Sequence, residues 1–134
     1  MTVNILLISH EDIGSALLNA TRHTFGKLPI PAKVIGVKYD ADPEKLVKRV
    51  STIAEKAGDE GILILTDLYG ATPCNIALGL KHHKNIQVIS GLNMPMLIRV
   101  MNYPTLTLLE LANKAVSGGK DGVVNCSSEH QNLE

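Results

Sequence analysis

The apolar positions fall into short runs that alternate between two periods. Val3–Ile8 (VNILLI) is almost continuously apolar, broken only by Asn4. A run of that kind predicts a strand covered on both faces. From Ile13 the apolar residues recur at Ala16, Leu17, Ala20 and Phe25, which is helical spacing. Gly26 is placed to end that helix. Pro29 and Pro31 mark a loop, and Lys33–Lys38 (KVIGVK) reads as a second strand. Asp42-Pro43-Glu44 is a helix start, with a capping Asp, Pro at the first helical position and an acid in the first turn. Leu46, Val47, Val50, Ile53, Ala54 and Ala57 follow on one face, and Gly58 closes the helix.

The second half repeats the alternation. Gly61–Thr66 (GILILT) predicts a third buried strand, and Thr72-Pro73 opens a helix expected to run to about His83, with Thr72 as its N-cap. Ile86–Ser90 is a fourth strand. Asn93 and Pro95 begin another helix through Met101, and Pro104 interrupts it. Thr107 with Glu110 fits a capping box, so a fifth helix is expected to about Val116, broken by Gly118-Gly119. Gly122–Cys126 (GVVNC) is expected as a short last strand. The polar residues from Ser127 to Glu134 read as a disordered tail.

This order predicts an α/β fold: a mostly parallel sheet, strand order 2-1-3-4, with helices on both faces and a short C-terminal antiparallel strand. The 134-residue length predicts one domain, residues 1–126. Aromatics make up only 3% of the chain, so the core must be aliphatic. Lys plus Arg number 13, as do Asp plus Glu, a balance that argues against a nucleic-acid partner. The N-terminal apolar run is too short for a signal peptide, and no segment is apolar for the roughly 18 residues of a membrane span. Cys74 and Cys126 form no CxxC and no metal-type cluster, which leaves two reduced thiols and a cytoplasmic setting as the expectation.

In such sheets ligands bind beyond the carboxyl ends of the strands, at the switch in strand order. With order 2-1-3-4 the switch lies between the first and third strands. His10 follows the first and Asp67 the third, so topology predicts that they meet. A carboxylate that accepts the Nδ1 proton fixes the imidazole tautomer and leaves the Nε2 lone pair as a nucleophile. Gly70-Ala71-Thr72-Pro73 is a turn of small residues into a helix start, where backbone N–H groups can bind phosphate. Neither GxxxxGK[ST] nor GxGxxG occurs, so no bound nucleotide cofactor and no metal are expected.

These residues carry a family pattern. Ile8-Ser9-His10, the stretch Thr66-Asp67-Leu68-Tyr69-Gly70-Ala71-Thr72-Pro73-Cys74-Asn75, and Ser90-Gly91-Leu92-Asn93-Met94-Pro95-Met96-Leu97 resemble the IIA component of the mannose family of the bacterial phosphoenolpyruvate:sugar phosphotransferase system. Gly119-Lys120-Asp121-Gly122 also fits, and the likeness spans roughly residues 3 to 124. The resemblance implies that His10 takes a phosphoryl group on Nε2 from the phosphocarrier HPr and passes it to a IIB component, which phosphorylates the sugar. It implies that Asp67 orients His10 and that Thr72 lies at the phosphate-binding helix start, beside Gly70 and Ala71 of the turn. It also implies a homodimer whose last strand can exchange between subunits, and contact with the membrane only through a permease complex. One departure stands out: the family often has Gly after the active histidine, where this chain has Glu11, which is expected to point outward and to alter docking. No IIB domain is expected to be fused to this chain.

Other readings stay open. A response-regulator-like receiver would use Glu11, Asp12 and a phosphorylated Asp67, but it also needs a Lys after a fifth strand, which Val124-Asn125-Cys126 does not offer. A regulatory phosphocarrier, or the phosphotransferase subunit of a dihydroxyacetone kinase, would keep the His10 chemistry and change its destination. Several residues read as structural. His23 is expected in solvent, and His82-His83 with Lys81 and Lys84 at a helix C-terminus. His130 falls in the tail, Cys74 in the core, and Met94, Met96 and Met101 in packing or a subunit contact.

Overall fold

The computed structural model describes residues 2–80, 83 and 85–127. The expectations for Lys81, His82, Lys84, His130 and the tail beyond Ser127 lie outside the described residues. The elements are β1 (Asn4–His10), α1 (Ile13–Phe25), β2 (Ala32–Val37), α2 (Pro43–Glu55), β3 (Ile62–Thr66), α3 (Thr72–Leu78), β4 (Ile86–Ser90), α4 (Met94–Met101) and α5 (Leu108–Asp121). The four strands form one sheet in the order β2-β1-β3-β4, parallel throughout. Strand order and alternation are as the sequence predicts.

The period of two along the strands divides the core into two layers. Ile5 and Leu7 of β1, with Leu63 and Leu65 of β3, face α1, α4 and α5 through Leu18, Leu97, Val100, Leu111 and Ala115. Leu6 and Ile8, with Ile62 and Ile64, face α2 and α3 through Val50, Ile76 and Ala77. The central strands β1 and β3 are therefore buried on both faces, which explains their unbroken apolar character. The core is aliphatic apart from the two sulfur-bearing methionines Met96 and Met101, and Cys74 is buried with it.

Three helix starts follow the predicted chemistry. Asp42 accepts the Glu44 N–H at 3.0 Å, Asn93 accepts the Met96 N–H at 2.9 Å, and Thr107 with Glu110 forms the reciprocal capping box. The Thr107 backbone N–H and then its hydroxyl, both donating to Glu110, hold that carboxyl below its usual pKa.

The C-terminal part differs from the expectation. Gly118-Gly119 does not break α5, which continues to Asp121, and Gly122–Cys126 forms no strand in the single chain. The reason is helix packing. A Cβ on Gly118 would lie 2.6 Å from the Arg99 Cβ, and one on Gly119 would lie 2.9 Å from the Met96 Cε. A Cβ on Gly122 would lie 2.2 Å from the Pro95 Cβ. These glycines let α5 close onto α4; local propensity cannot reveal a constraint set by another helix. In addition, α3 ends at Leu78, with Gly79 as its C-cap, short of the expected His83.

This packing predicts the sign of a substitution. Ala is a better helix former than Gly by about 1 kcal/mol, whereas overfilling a tight contact costs about 1–3 kcal/mol. The Arg99 Cβ is fixed to the α4 backbone and cannot swing aside, so the clash should dominate. G118A is expected to lower unfolding free energy by about 1 kcal/mol in a urea titration. A midpoint moved to higher urea would show that the helices are not in close contact here.

Candidate functional site

β1 extends two residues beyond the predicted end. Ser9 pairs with Gly36 and His10 with Val37, so His10 is the last residue of the strand rather than part of a loop. Next to it the β1–β3 register ends at Ile8 opposite Thr66, which places Asp67 just past the end of β3. The carboxylate closes the gap. Asp67 Oδ2 accepts the His10 backbone N–H at 3.0 Å and lies 2.8 Å from His10 Nδ1. One oxygen thus holds both the main chain and the ring of His10. The adjacency inferred from topology is observed.

The two side chains differ in exposure. That of His10 is 42% exposed and that of Asp67 is 10% exposed. Asp67 Oδ1 is buried without a hydrogen-bond partner, so the carboxylate directs its bonding through Oδ2. With Nδ1–H donating to Asp67, the tautomer leaves Nε2 as an acceptor on the exposed side of the ring.

The residues beside His10 fix its surroundings. Ser9 is fully buried, and its Oγ accepts the Gly14 N–H at 2.8 Å. That bond satisfies the start of α1, where Asp12 makes no side-chain cap. A Cβ on Gly14 would lie 2.8 Å from the same Ser9 Oγ, so only Gly admits this contact. Between them, Glu11 has φ +45°, a left-handed conformation that costs a residue with a Cβ roughly 1–2 kcal/mol. Its carbonyl passes so close over β2 that a Cβ on Gly36 would lie 2.4 Å from it. The Glu11 carboxylate points away from His10, as expected. It accepts the Tyr39 N–H at 3.0 Å and pairs with Lys38 Nζ at 3.3 Å. Asp12 also meets Lys38, at 3.0 Å. The hydrogen bond to Asp12 first, then the one to Glu11, raises the Lys38 pKa above its ordinary value. Both acids are thereby turned from Asp67, so the acidic cluster of a receiver is not assembled. Among the described residues no group of three His, Cys, Asp or Glu side chains could hold a metal ion.

The predicted phosphate turn lies on the other side. Gly70 has φ +81° and is exposed, and Ala71 is the N-cap residue of α3, without a side-chain cap bond. Thr72 is the first helical residue, which corrects its expected role as N-cap. Pro73, at the second helical position, still lacks only an N–H that would have no intrahelical partner. Behind the turn, Thr66 Oγ1 lies 2.7 Å from Ser90 Oγ, and Ser90 Oγ lies 3.2 Å from Cys74 Sγ. This part-buried chain ties β3, β4 and α3 together. Sequence reasoning did not single it out, although three small polar residues at strand ends and a helix start are its signal. Nor did it anticipate the Ser9 bond to Gly14 or the pairing of Lys38. Around His10, large apolar side chains stand open to solvent: Ile13 at 46%, Tyr39 at 100%, Leu68 at 59% and Tyr69 at 80% exposure. Ile13 opens α1, and the others come from the loops after β2 and β3.

The chain is similar to known proteins in sequence and in fold. Residues 4–116 match the model of the EIIA-man family, described as the PTS system fructose IIA component. The chain is 26% identical over 129 residues to the phosphotransferase enzyme IIA component YadI of Escherichia coli strain K12, covering 94% of this chain and 88% of that protein. The mannose/sorbose-specific IIA subunit from Enterococcus faecalis is similar in structure, with a TM-score of 0.83 and 27% identity over 93% of this chain and 95% of that one. The phosphotransferase system component EIIA from Streptococcus agalactiae has a TM-score of 0.81 at 22% identity, covering 94% and 98%. The latter likeness speaks for the fold.

The Ser9 contact makes a prediction of its own. S9A would leave the Gly14 N–H without an acceptor in a buried position. It is expected to cost about 1–2 kcal/mol of stability, read as a lower urea midpoint with an unchanged slope. No change would show that α1 starts without help from β1.

Proposed function

The chain belongs to the EIIA-man family of phosphotransferase-system IIA components, and from that premise we propose that it is a phosphoryl carrier acting through His10. In this reading phospho-HPr donates and a IIB component receives. Nε2 of His10 attacks the phosphorus of the donor's phosphohistidine. The new N–P bond forms as the donor's N–P bond breaks, and the donor ring leaves with the electron pair. His10 then carries the phosphoryl group on Nε2 and a positive charge on the ring, next to the Asp67 carboxylate. Transfer to the IIB component reverses these steps, with His10 as the leaving group.

The observation that carries the reading is the double hold of Asp67 Oδ2 on His10, at 3.0 Å to its N–H and 2.8 Å to its Nδ1. It orients the ring, selects the tautomer and stabilises the charge that arrives with phosphate. We assign Gly70, Ala71 and Thr72 to the phosphate oxygens, on backbone N–H groups at the start of α3, where that of Ala71 makes a long 3.4 Å bond to the Leu68 carbonyl. The exposed rim of Ile13, Tyr39, Leu68 and Tyr69 supports docking of protein partners rather than entry of a small molecule. A homodimer is part of the same proposal. β4 is an edge of the sheet, and Val123 and Val124, at 79% and 51% exposure, lie just beyond α5.

The test is incubation with phosphoenolpyruvate, enzyme I and HPr. His10 should become labelled, with the acid-labile, base-stable behaviour of phosphohistidine. H10A should take up no label; full labelling of that variant, or a base-labile product on Asp67, would overturn the assignment. D67A loses the one hydrogen bond to the ring, worth about 1.5–3 kcal/mol when the ring is charged, together with the acceptor of the His10 N–H. It should fold and transfer about 10- to 100-fold more slowly; an unchanged rate would mean that His10 acts alone.

A further inference from the structure

We propose that Glu11 is a positioning residue for partner docking, whose side chain continues the β1–β2 ladder and thereby builds one wall of the surface around His10. The inference rests on the reading of His10 as the phosphoryl acceptor. The ladder's last pair is His10 opposite Val37. At Glu11 the backbone turns away at φ +45°, after its N–H has donated to the Val37 carbonyl at 3.0 Å. The main chain of β1 then has no acceptor for the next position on β2. The Glu11 carboxylate takes that place, with Oε1 on the Tyr39 N–H at 3.0 Å and Oε2 on Lys38 Nζ at 3.3 Å. One residue thus grips Val37, Lys38 and Tyr39 in succession. Glycine would adopt this φ freely but would leave the Tyr39 N–H without its acceptor. A strained Glu at this position is explained by what its side chain holds.

What it holds is a presented aromatic. Tyr39 is fully exposed, and the backbone bond to Glu11 fixes where its main chain leaves the end of β2, two residues beyond the partner of His10. The occupant of that face is the phosphoryl donor, phospho-HPr, which has to reach Nε2 across the exposed rim that Tyr39 shares with Leu68 and Tyr69. Loss of the strap should therefore weaken encounter without altering the chemistry on the ring.

The experiment compares wild type, E11G and E11Q in phosphoryl transfer from phospho-HPr, with concentration dependence and single-turnover rates at saturation. Labelling of wild type on His10 first establishes the underlying reading; its failure would fault that reading and is distinct from the result for Glu11. E11G is expected to raise KM about fivefold, with a saturating rate within about twofold of wild type. E11Q keeps an oxygen acceptor for Tyr39 and should restore KM to near the wild-type value. An unchanged KM in E11G would overturn the proposal, as would a loss confined to the saturating rate. E11Q behaving like E11G would also overturn it, by assigning the effect to the Lys38 charge pair. Thermal melting separates docking from folding: E11G should melt no lower than wild type within a few degrees, and global unfolding of the variant would refute a local role.

Discussion

The site depends on one oxygen atom, Asp67 Oδ2, placed between the ends of two parallel strands. It accepts from the His10 backbone and meets the His10 ring, so it couples the position of the main chain to the orientation of the imidazole. That coupling works only if β1 and β3 end in a fixed register. The register is fixed because both strands are buried on both faces, and a slip of one residue would send every apolar side chain to the wrong layer. The aliphatic core therefore determines the geometry of the site as well as the stability of the chain. The precision comes from strands, and the adaptable parts, Gly70 and Gly91 with positive φ, are left to the loops.

Much of this was legible in the sequence because it arises from local or periodic causes. The alternation of apolar runs identifies the strands, and Asp42, Asn93 and Thr107 announce helix starts through their own hydrogen bonds. The meeting of His10 and Asp67 is likewise a topological consequence of the order 2-1-3-4. The features that were not legible are set by neighbours distant in sequence. Gly118-Gly119 has the composition of a helix breaker, yet its role is to admit Arg99 and Met96 of α4. Once the helix continues to Asp121, Gly122 lies against Pro95 and no strand follows in the single chain. Thr72-Pro73 has the composition of a cap followed by a first helical residue, yet the helix begins one residue sooner. Pro is accepted at either position, so the sequence does not distinguish the two.

The surroundings of His10 reconcile two demands that oppose each other. The proposed role as a phosphoryl carrier requires Nε2 to be exposed to partners of protein size, which favours solvent access. Its ring also needs a carboxylate whose attraction is not dissipated by water, which favours burial. The structure divides these demands between residues: Asp67 is nearly buried, and His10 is almost half exposed. The exposed face is rimmed with apolar side chains, so a docked partner would remove the remaining water in the proposed transfer. The polarity of the site then depends on whether it is occupied.

Glu11 bears on the same division. A carboxylate next to a phosphorylated histidine would ordinarily oppose it, since both carry negative charge at close range. Here the backbone turn at Glu11 directs the side chain along β2, where Lys38 offsets its charge and the Tyr39 N–H occupies one of its oxygens. Lys38 is shared with Asp12, so two acids and one base lie together on the flank away from Asp67. A cation left unpaired beside the ring would hold phosphate more tightly on His10 and hinder its onward transfer. Lys38 is instead tied to two carboxylates, and Asp67 is the charged group that bonds the ring. If His10 carries phosphate as proposed, the positive-φ residue next to it directs its own like charge toward Lys38 and engages the opposite charge of Lys38.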